Sequence, residues 1–283
     1  MKRNELLNTI VGLLIIFCLC AYFENVLADQ LVAYWPLDGT AEDASGNGHD
    51  GVLHGGNWDA GVVGQGLQLT ESGQYLEISG ENLNKFASPS FTITLWIRVD
   101  SWNDTWNCAV SFGGEDKGWA LKREYNKSIW RFIHRGNPEQ DWGTNGPAVS
   151  FGKWSHLAVT WDDEQKELKW YHDGELFSVR QMPSHSMAYD TQWPIIIGAT
   201  SQGTPHQFLT GQSGEVWVDE VRIYDYALNQ FEVAKLSKPI SSRICIEKII
   251  GDLNNDCKVD LNDFILLSDS WLKDKSVDLA LLE

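Results

Sequence analysis

The sequence predicts an all-β protein, an antiparallel β-sandwich of jelly-roll type. Apolar and polar residues alternate along several segments, glycines punctuate the chain, and no long run with helical periodicity appears before Ala227. Of the 283 residues, 43% are hydrophobic, which is enough for a sizeable core. The length allows one large β domain and a smaller unit.

The clearest predicted strand covers residues 91–100. Every odd position in it is apolar, and every even position is polar except Trp96. This period of two is typical of a strand with one buried face. Residues 154–161 show a similar pattern, and residues 194–198 form a short apolar run typical of a buried strand.

Two further strand segments carry local signals. Residues 168–179 contain Asp173-Gly174, a dipeptide that accepts the positive φ of a type I′ turn and so predicts a hairpin. In residues 215–224 the apolar positions change from even to odd near Asp219-Glu220. Because one residue of slip would turn every side chain to the other face, this change predicts a β-bulge.

The N-terminus has the pattern of a secretory signal peptide. Lys2 and Arg3 precede an apolar run over residues 10–23, and Val26 and Ala28 supply the −3 and −1 residues for cleavage after Ala28. The apolar run is short for a membrane span. Residues 1–28 are therefore predicted to be removed on export, with an uncleaved anchor as the alternative.

Cleavage of the signal peptide would leave three cysteines in the chain, and export would place them in an oxidising compartment. Cys245 and Cys257 lie close in sequence and are the natural disulfide pair, worth roughly 3 kcal/mol by the chain-entropy model. Cys108 lies in a strand-like apolar stretch, which predicts a buried thiol.

The charge balance narrows the range of partners. The net charge is −17, and it would repel nucleic acid and anionic membrane surfaces. The excess of carboxylates suits calcium (Ca²⁺), which prefers oxygen ligands. Fourteen Trp residues fit both a strand-rich core and stacking on sugars.

Ordered motifs over about 200 residues carry a family resemblance. They are LVAYWPLD (31–38), DASGNGHDG (43–51), GQGLQL (64–69), YLEI (75–78), FTITLW (91–96), KWSHLAVTW (153–161), YHDGEL (171–176) and VDEVRIYDYAL (218–228). Residues 29–236 resemble a laminin-G-like, concanavalin A-like jelly-roll domain. The resemblance implies an extracellular binding domain whose ligand is a glycan, a glycoprotein or another extracellular partner.

Some domains of this type hold a structural calcium ion, and three residues could contribute ligands here. Asp43, Asn47 and Asp219 offer side-chain oxygens on backbone predicted to be irregular. The alternative is that Asp43 and Asn47 form Asx-turns within their loop.

Related folds include glycoside hydrolases, which need two carboxylates about 5 Å apart in the retaining case. Glu215, Asp219 and Glu220 come nearest, but their spacing is wrong and the predicted bulge intervenes. We therefore expect a non-catalytic protein, with a divergent glycosidase as the alternative.

Loop tryptophans are the better candidates for sugar stacking. Trp102 and Trp106 lie in a predicted loop, and Trp142 lies in a polar segment. Packing under a loop is equally open for these three. Three others are expected to pack in the core or on a sheet face: Trp96, Trp161 and Trp217.

The sharpest motif is near the C-terminus, where side chains follow the ligand schedule of a 12-residue calcium loop. Oxygen-bearing side chains occupy loop positions 1, 3, 5, 9 and 12, and position 7 would offer its backbone carbonyl. In order along the chain, these residues are Asp252, Asn254, Asp256, Lys258, Asp260 and Asp263. The schedule departs at position 6, where Cys257 replaces the usual glycine.

An amphipathic helix is predicted after this loop, over residues 261–272. A loop followed by a helix resembles a dockerin type I repeat, which implies attachment to a cohesin-like partner through Leu261 and Asn262. Dockerins normally have two repeats, whereas residues 251–283 contain one, after a linker at 237–250. The exposed helix face could instead dock onto the sandwich.

The sequence thus predicts a secreted, non-catalytic, carbohydrate-binding protein of extracellular polysaccharide handling, with a small α-helical, half-dockerin calcium module. A surface adhesion or structural protein with a protein partner is the first alternative, and a divergent glycosidase is the second.

Overall fold

The computed structural model describes residues 30–79, 83–102, 108–113, 118–124, 127–135, 141–184, 186–189, 191–201, 208–209 and 214–238. Strands are numbered in chain order, and most of them form two large antiparallel sheets. The predicted signal peptide, the linker beyond Lys238 and the C-terminal module lie outside these residues.

Within the described residues, the first sheet, sheet A, has eight strands: β1 (Leu31–Trp35), β3 (Asn57–Ala60), β4 (Gln65–Leu69), β6 (Phe91–Trp102), β11 (Trp154–Asp162), β12 (Glu167–His172), β13 (Glu175–Gln181) and β17 (Gly214–Tyr224). Their order is β13–β12–β11–β6–β17–β4–β3, and β1 also pairs with β17.

The second sheet, sheet B, has seven strands in the part of the chain that the structure describes: β2 (Val52–His54), β5 (Tyr75–Ile78), β7 (Cys108–Phe112), β8 (Trp119–Arg123), β9 (Ile129–Arg135), β10 (Asp141–Ala148) and β14 (Ile195–Ile197). Their order is β10–β9–β8–β7–β14–β5–β2. Two short strands, β15 (Thr200–Ser201) and β16 (Phe208–Leu209), pair with each other.

One hydrophobic core lies between the two large sheets and confirms the predicted sandwich. The residues of β6 at odd positions from 91 to 99 are all buried in it: Phe91, Ile93, Leu95, Ile97 and Val99. Cys108 is buried on β7, as predicted, and burial raises the pKa of its thiol to about 12.

The predicted hairpin joins β12 to β13. Asp173 and Gly174 have φ values of 51° and 85°, the left-handed conformations that a type I′ turn requires. The predicted bulge in β17 is also present, since the register with β6 shifts between Asp219 and Arg222. Glu220 in the bulge has a φ of 54°.

A short helix, α1 (Gln230–Leu236), covers one end of the outer face of sheet A. Its N-cap Asn229 accepts from the backbone of Phe231 and Glu232, and the Glu232 side chain accepts from Asn229 in return. Val233 and Leu228 pack on buried side chains of β11 and β12. A 3₁₀ turn covers Leu83–Phe86. In the described part of the chain, no helix has the length and apolar character needed to span a membrane.

Two predicted loops are partly strand. β6 continues through Trp102, and Trp142 belongs to β10 rather than to a loop. Gly143, Gly146 and Pro147 are unusual inside a strand, but β10 is the edge of sheet B and needs a partner on one side only. Its register with β9 shifts next to Pro147, between Asn145 and Ala148.

We predict that Gly174→Ala destabilises the protein more than Gly152→Ala does. Both glycines have positive φ, 85° and 73°, so both substitutions should cost about 1–2 kcal/mol of backbone strain. A Cβ at Gly174 would also clash with Ser237 and lie 3.2 Å from the Cα of Ala234. A Cβ at Gly152, in contrast, would have no neighbour within 4 Å. The overpacking should add at least ~1 kcal/mol. Urea unfolding of both variants measures this, and equal losses would contradict the packing of α1 on this turn.

Candidate ligand-binding face

The outer face of sheet A carries a group of aromatic and charged side chains. Because the odd residues of β6 point into the core, the even residues Trp96 and Arg98 stand on the outer face. The strand register places Trp154 of β11 on one side of Arg98 and Trp217 of β17 on the other. We call these four residues the Trp–Arg face.

Specific contacts fix the centre of the Trp–Arg face. The Cζ atom of Arg98 lies 4.4 Å from the centroid of the Trp217 ring, a cation–π geometry. The Nε1 atom of Trp217 donates to Oδ2 of Asp59 at 3.1 Å, and Nε of Arg98 donates to Oδ1 of Asp100 at 2.7 Å. Arg98 and Asp100 make a second contact through Nη2 and Oδ2, so their pairing is bidentate. These polar groups are therefore held in place before any ligand arrives.

A buried histidine supports Trp96. The rings of Trp96 and His156 are 5.4 Å apart and meet edge to face. Burial lowers the pKa of His156 to about 3, so the imidazole is neutral at physiological pH. Trp96 and Trp154 are half-buried, while Trp217 is only 6% exposed. Parts of the first two indoles thus remain open to a ligand.

The electrostatics of this face are dominated by carboxylates. Arg98 is the one charged residue of the Trp–Arg face. Its positive charge interacts with the carboxylates of Asp100, Asp59 and Glu215. Hydrogen bonds from the Ala60 N–H and then from the Trp217 indole lower the pKa of Asp59, so its carboxylate is ionised. The face thus combines apolar ring surface with fixed hydrogen-bond acceptors. Such a combination suits a sugar, whose C–H face stacks on indoles while its hydroxyls donate to carboxylates.

The two acids of the β17 bulge lie near this face, but their carboxylates are hydrogen-bonded to other parts of the protein. Asp219 is 0% exposed, and its Oδ2 accepts from the backbone N–H groups of Val62 and Val63 at 2.8 and 3.1 Å. Glu220 accepts from the hydroxyl of Tyr34 at 2.7 Å and from Nη2 of Arg222 at 2.6 Å. With Asp219 buried and Glu220 paired, Glu215 is the one exposed member of the three carboxylates considered for catalysis.

Asp43 and Asn47 organise the loop that the sequence marked as a possible calcium site. The Asp43 carboxylate accepts from the backbone N–H groups of Tyr34, Ser45 and His49 and from the Ser45 hydroxyl. Burial acts to raise the pKa of Asp43, but these hydrogen bonds together lower it. Asn47 donates to the carbonyls of Leu31 and Val32. The bond from the Ser45 N–H to Asp43 is of the Asx-turn type, whereas Asn47 ties the loop to β1. Calcium bound by Asp43, Asn47 and Asp219 stays a prediction.

Several predicted site residues lie beyond what the structure describes. Trp106 is outside the described residues, as are the calcium-loop residues 252–263, Leu261, Asn262 and the cysteines 245 and 257. For Trp102 and Trp142 the structure gives the strand position of the backbone. Within the described ranges, no three or more His, Cys, Asp or Glu side chains form a group that could hold a metal ion.

The Trp–Arg face was not predicted as a site, although its signal is present in the sequence. Trp96 is the one apolar residue among the even positions of residues 91–100, and Trp154 stands in the corresponding outward phase of its own strand. Asp100 follows Arg98 two residues later on the same side of β6, whereas Asp59 of β3 joins these residues only through strand pairing across β4 and β17. Only the register of neighbouring strands could have placed them together.

A comparison with protein families fits this architecture. The family model described as "Concanavalin A-like lectin/glucanases superfamily" matches residues 70–234. The chain belongs to the concanavalin A-like lectin/glucanases superfamily. This confirms the jelly-roll class and the laminin-G-like resemblance. No curated protein matches the chain.

Solved structures share the fold at low sequence identity. The binding domain of Paraclostridial Mosquitocidal Protein 1 superimposes with a TM-score of 0.60 at 18% identity, covering 75% of this chain and 52% of that one. The receptor binding domain of botulinum neurotoxin C/D mosaic serotype gives 0.58 at 15% identity, covering 74% and 51%. The botulinum neurotoxin type G receptor binding domain gives 0.56 at 15% identity, covering 75% and 52%. The chain thus matches about half the length of these binding domains.

We predict that Asp219→Asn flattens the dependence of stability on pH. Burial raises the pKa of Asp219 from 3.8 to about 7, so the folded state holds this proton more tightly than the unfolded state. The resulting stabilisation is complete below about pH 4 and is lost as the pH rises to about 7. At about 1.4 kcal/mol per pKa unit, the loss is on the order of a few kcal/mol. Asn keeps an acceptor for Val62 and Val63 and carries no charge.

Urea unfolding of wild type and variant at pH 4.5, 6 and 8 provides the measurement. Wild type should lose stability over this range relative to the variant, so that the variant is the more stable protein at pH 8. Parallel pH profiles would contradict a raised pKa at Asp219.

Proposed function

We propose that this protein is a non-catalytic, extracellular carbohydrate-binding protein whose jelly roll binds its ligand on the Trp–Arg face. The observation that carries the proposal is the arrangement of Trp96 and Trp154, two half-buried indoles, beside Arg98, which is held by Asp100 and stacked on Trp217. Membership of a superfamily named for lectins supports it. The fold shared with the receptor binding domain of botulinum neurotoxin C/D mosaic serotype supports it as well.

The proposal extends to export and attachment. A signal peptide over residues 1–28 would deliver the chain to the outside of the cell. The calcium schedule of residues 252–263 supports a dockerin-like module that attaches the jelly roll to a cohesin-like partner. The jelly roll would then bring polysaccharide to whatever the module is attached to.

We predict that Trp154→Ala weakens carbohydrate binding about tenfold. One lost stacking contact should cost roughly 1.4 kcal/mol, near the upper end for an aromatic pair. A glycan array first selects the ligand from neutral β-glucans, xylans and mannans, and calorimetry then gives the affinity. Phe177→Ala is the matched control, because Phe177 is a 50% exposed aromatic on the same sheet but on β13, away from this face.

Two outcomes would reject this function. If the wild-type protein binds none of the glycans but retains a protein from the cell surface, the adhesion alternative replaces it. Release of soluble sugar from a bound polysaccharide, lost in Glu215→Gln, would make the protein a glycosidase.

We predict that calcium raises the melting temperature of the full chain and that Asp252→Ala removes this effect. At a calcium concentration 100 times the Kd, binding to the folded form alone adds ~2.7 kcal/mol. Asp252 stands at loop position 1, where it would be a direct ligand. Asp278→Ala is the control, since Asp278 lies in the tail beyond the loop and the predicted helix.

The melting experiment also separates the two candidate calcium sites. A calcium response that persists in Asp252→Ala and is lost in Asp43→Asn would assign the ion to the jelly roll instead of the C-terminal loop. If calcium leaves the melting of wild type unchanged, the calcium part of the proposal is wrong.

A further inference from the structure

Strand β13 at the edge of sheet A is unusually apolar on its exposed side. The six large hydrophobic side chains that are most exposed in the described part of the chain include three from this strand: Leu176 at 42%, Phe177 at 50% and Val179 at 46%. Edge strands of natural proteins are normally shielded by charge, proline or a covering element, since an open apolar edge invites pairing with another chain. An element that covers β13 is therefore expected.

The backbone of β13 is also open on one side. Within the described residues β13 pairs with β12 and ends the order of sheet A. A register shift after Trp170 leaves Phe177 without a directly opposite residue on β12. An added strand would find free ladder positions and an apolar surface on the same edge.

The chain leaves the sandwich beside the first residue of β13. Helix α1 ends at Leu236, and Ser237 packs against Gly174, the residue just before Glu175. Lys238 is the last residue described. Whatever follows starts next to the exposed edge.

The sequence that follows has strand character. Residues 243–250 read RICIEKII, with four isoleucines among eight residues. β-Branched residues of this kind are enriched in strands, whereas flexible linkers are rich in Gly and Ser. Residues 239–242 leave enough chain to reach the edge, and they are too few to cross it without being almost fully extended.

We propose that residues 243–250 add to sheet A as a further strand beside β13. The short connection from Ser237 makes the two strands run in the same direction, because an antiparallel strand would have to begin at the far end of β13. In the parallel direction Arg243 falls near Glu175, and Glu247 falls near Arg180, so opposite charges meet across the pair. The isoleucines then cover Leu176, Phe177 and Val179.

The added strand gives the segment predicted as a linker a structural role. It fixes the point from which the C-terminal module starts, at the edge of the sandwich. The occupant of the apolar edge is thus the chain's own C-terminal part.

Hydrogen exchange of the full-length protein, read residue by residue, tests this pairing. In wild type, amides in residues 243–250 and alternate amides of β13 should exchange slowly. Ile246→Pro removes a donor from the middle of the added strand, so it should speed exchange at β13 at least tenfold. Leu281→Pro is the matched control in the tail, and it should leave β13 unchanged.

The reciprocal variant is Val179→Lys, which places a charge on the exposed edge at a position that tolerates a polar side chain because it is 46% exposed. It should speed exchange in residues 243–250 while circular dichroism reports an intact sandwich. Fast exchange of both segments in wild type would overturn the proposal. Slow exchange that is lost on dilution, together with a dimer in sedimentation, would overturn it in favour of edge pairing between two copies.

Discussion

One strand, β17, pairs with three other strands, and the sandwich depends on these pairings. Along one side it pairs with β6 over its whole length. Along its other side it pairs first with β4, through residues 216–218, and then with β1, through residues 221–224. The bulge at Asp219 and Glu220 lies where β4 gives way to β1. Without it the apolar residues on one side of this point would turn toward solvent.

The two acids of the bulge hold the two partners on either side of it. Asp219 accepts from the backbone of Val62 and Val63 in the turn between β3 and β4, and Glu220 accepts from Tyr34 of β1. Arg222 lies 3.8 Å from the Tyr34 ring centroid and completes the link between β17 and β1. Burying the Asp219 carboxylate is costly, and its two backbone hydrogen bonds offset part of that cost. The acids that could be taken for catalytic residues or calcium ligands therefore stabilise the pairing of β17 with its neighbours.

Local patterns in the sequence predict the parts of the fold that depend on one strand at a time. The alternation in β6 and the phase change in β17 each follow from which side chains must reach the core, and Asp173-Gly174 defines its own turn. The Trp–Arg face depends instead on register between β6, β11 and β17, which no single segment encodes. The prediction of a loop around Trp142, in β10, was wrong for a related reason. Its glycines and Pro147 indicate a loop, and only its edge position makes them acceptable in a strand.

In sheet A, the proposed ligand face lies apart from the edge strand proposed to anchor the C-terminal segment. Helix α1 covers one end of the outer face, where Thr92 of β6 donates to the Tyr226 carbonyl and accepts from the Leu228 N–H. The Trp–Arg face lies further along β6, at Trp96 and Arg98. Strand β13 is at the sheet edge, with β12 and β11 between it and β6. A C-terminal segment anchored along β13 would leave the aromatic face uncovered, so a ligand on that face and a partner on the C-terminal module could be held at the same time.

Charge further restricts which ligand the Trp–Arg face would accept under the proposed function. The whole chain carries a net charge of −17, and Arg98 is paired with Asp100 and lies among further carboxylates. An anionic polysaccharide would have to break that ion pair and approach a negative surface, at an electrostatic cost that salt only partly screens. A neutral polysaccharide would meet neither obstacle, because its hydroxyls could donate to the carboxylates and its apolar ring faces could stack on Trp96 and Trp154. The arrangement of this face therefore favours neutral glycans over acidic ones.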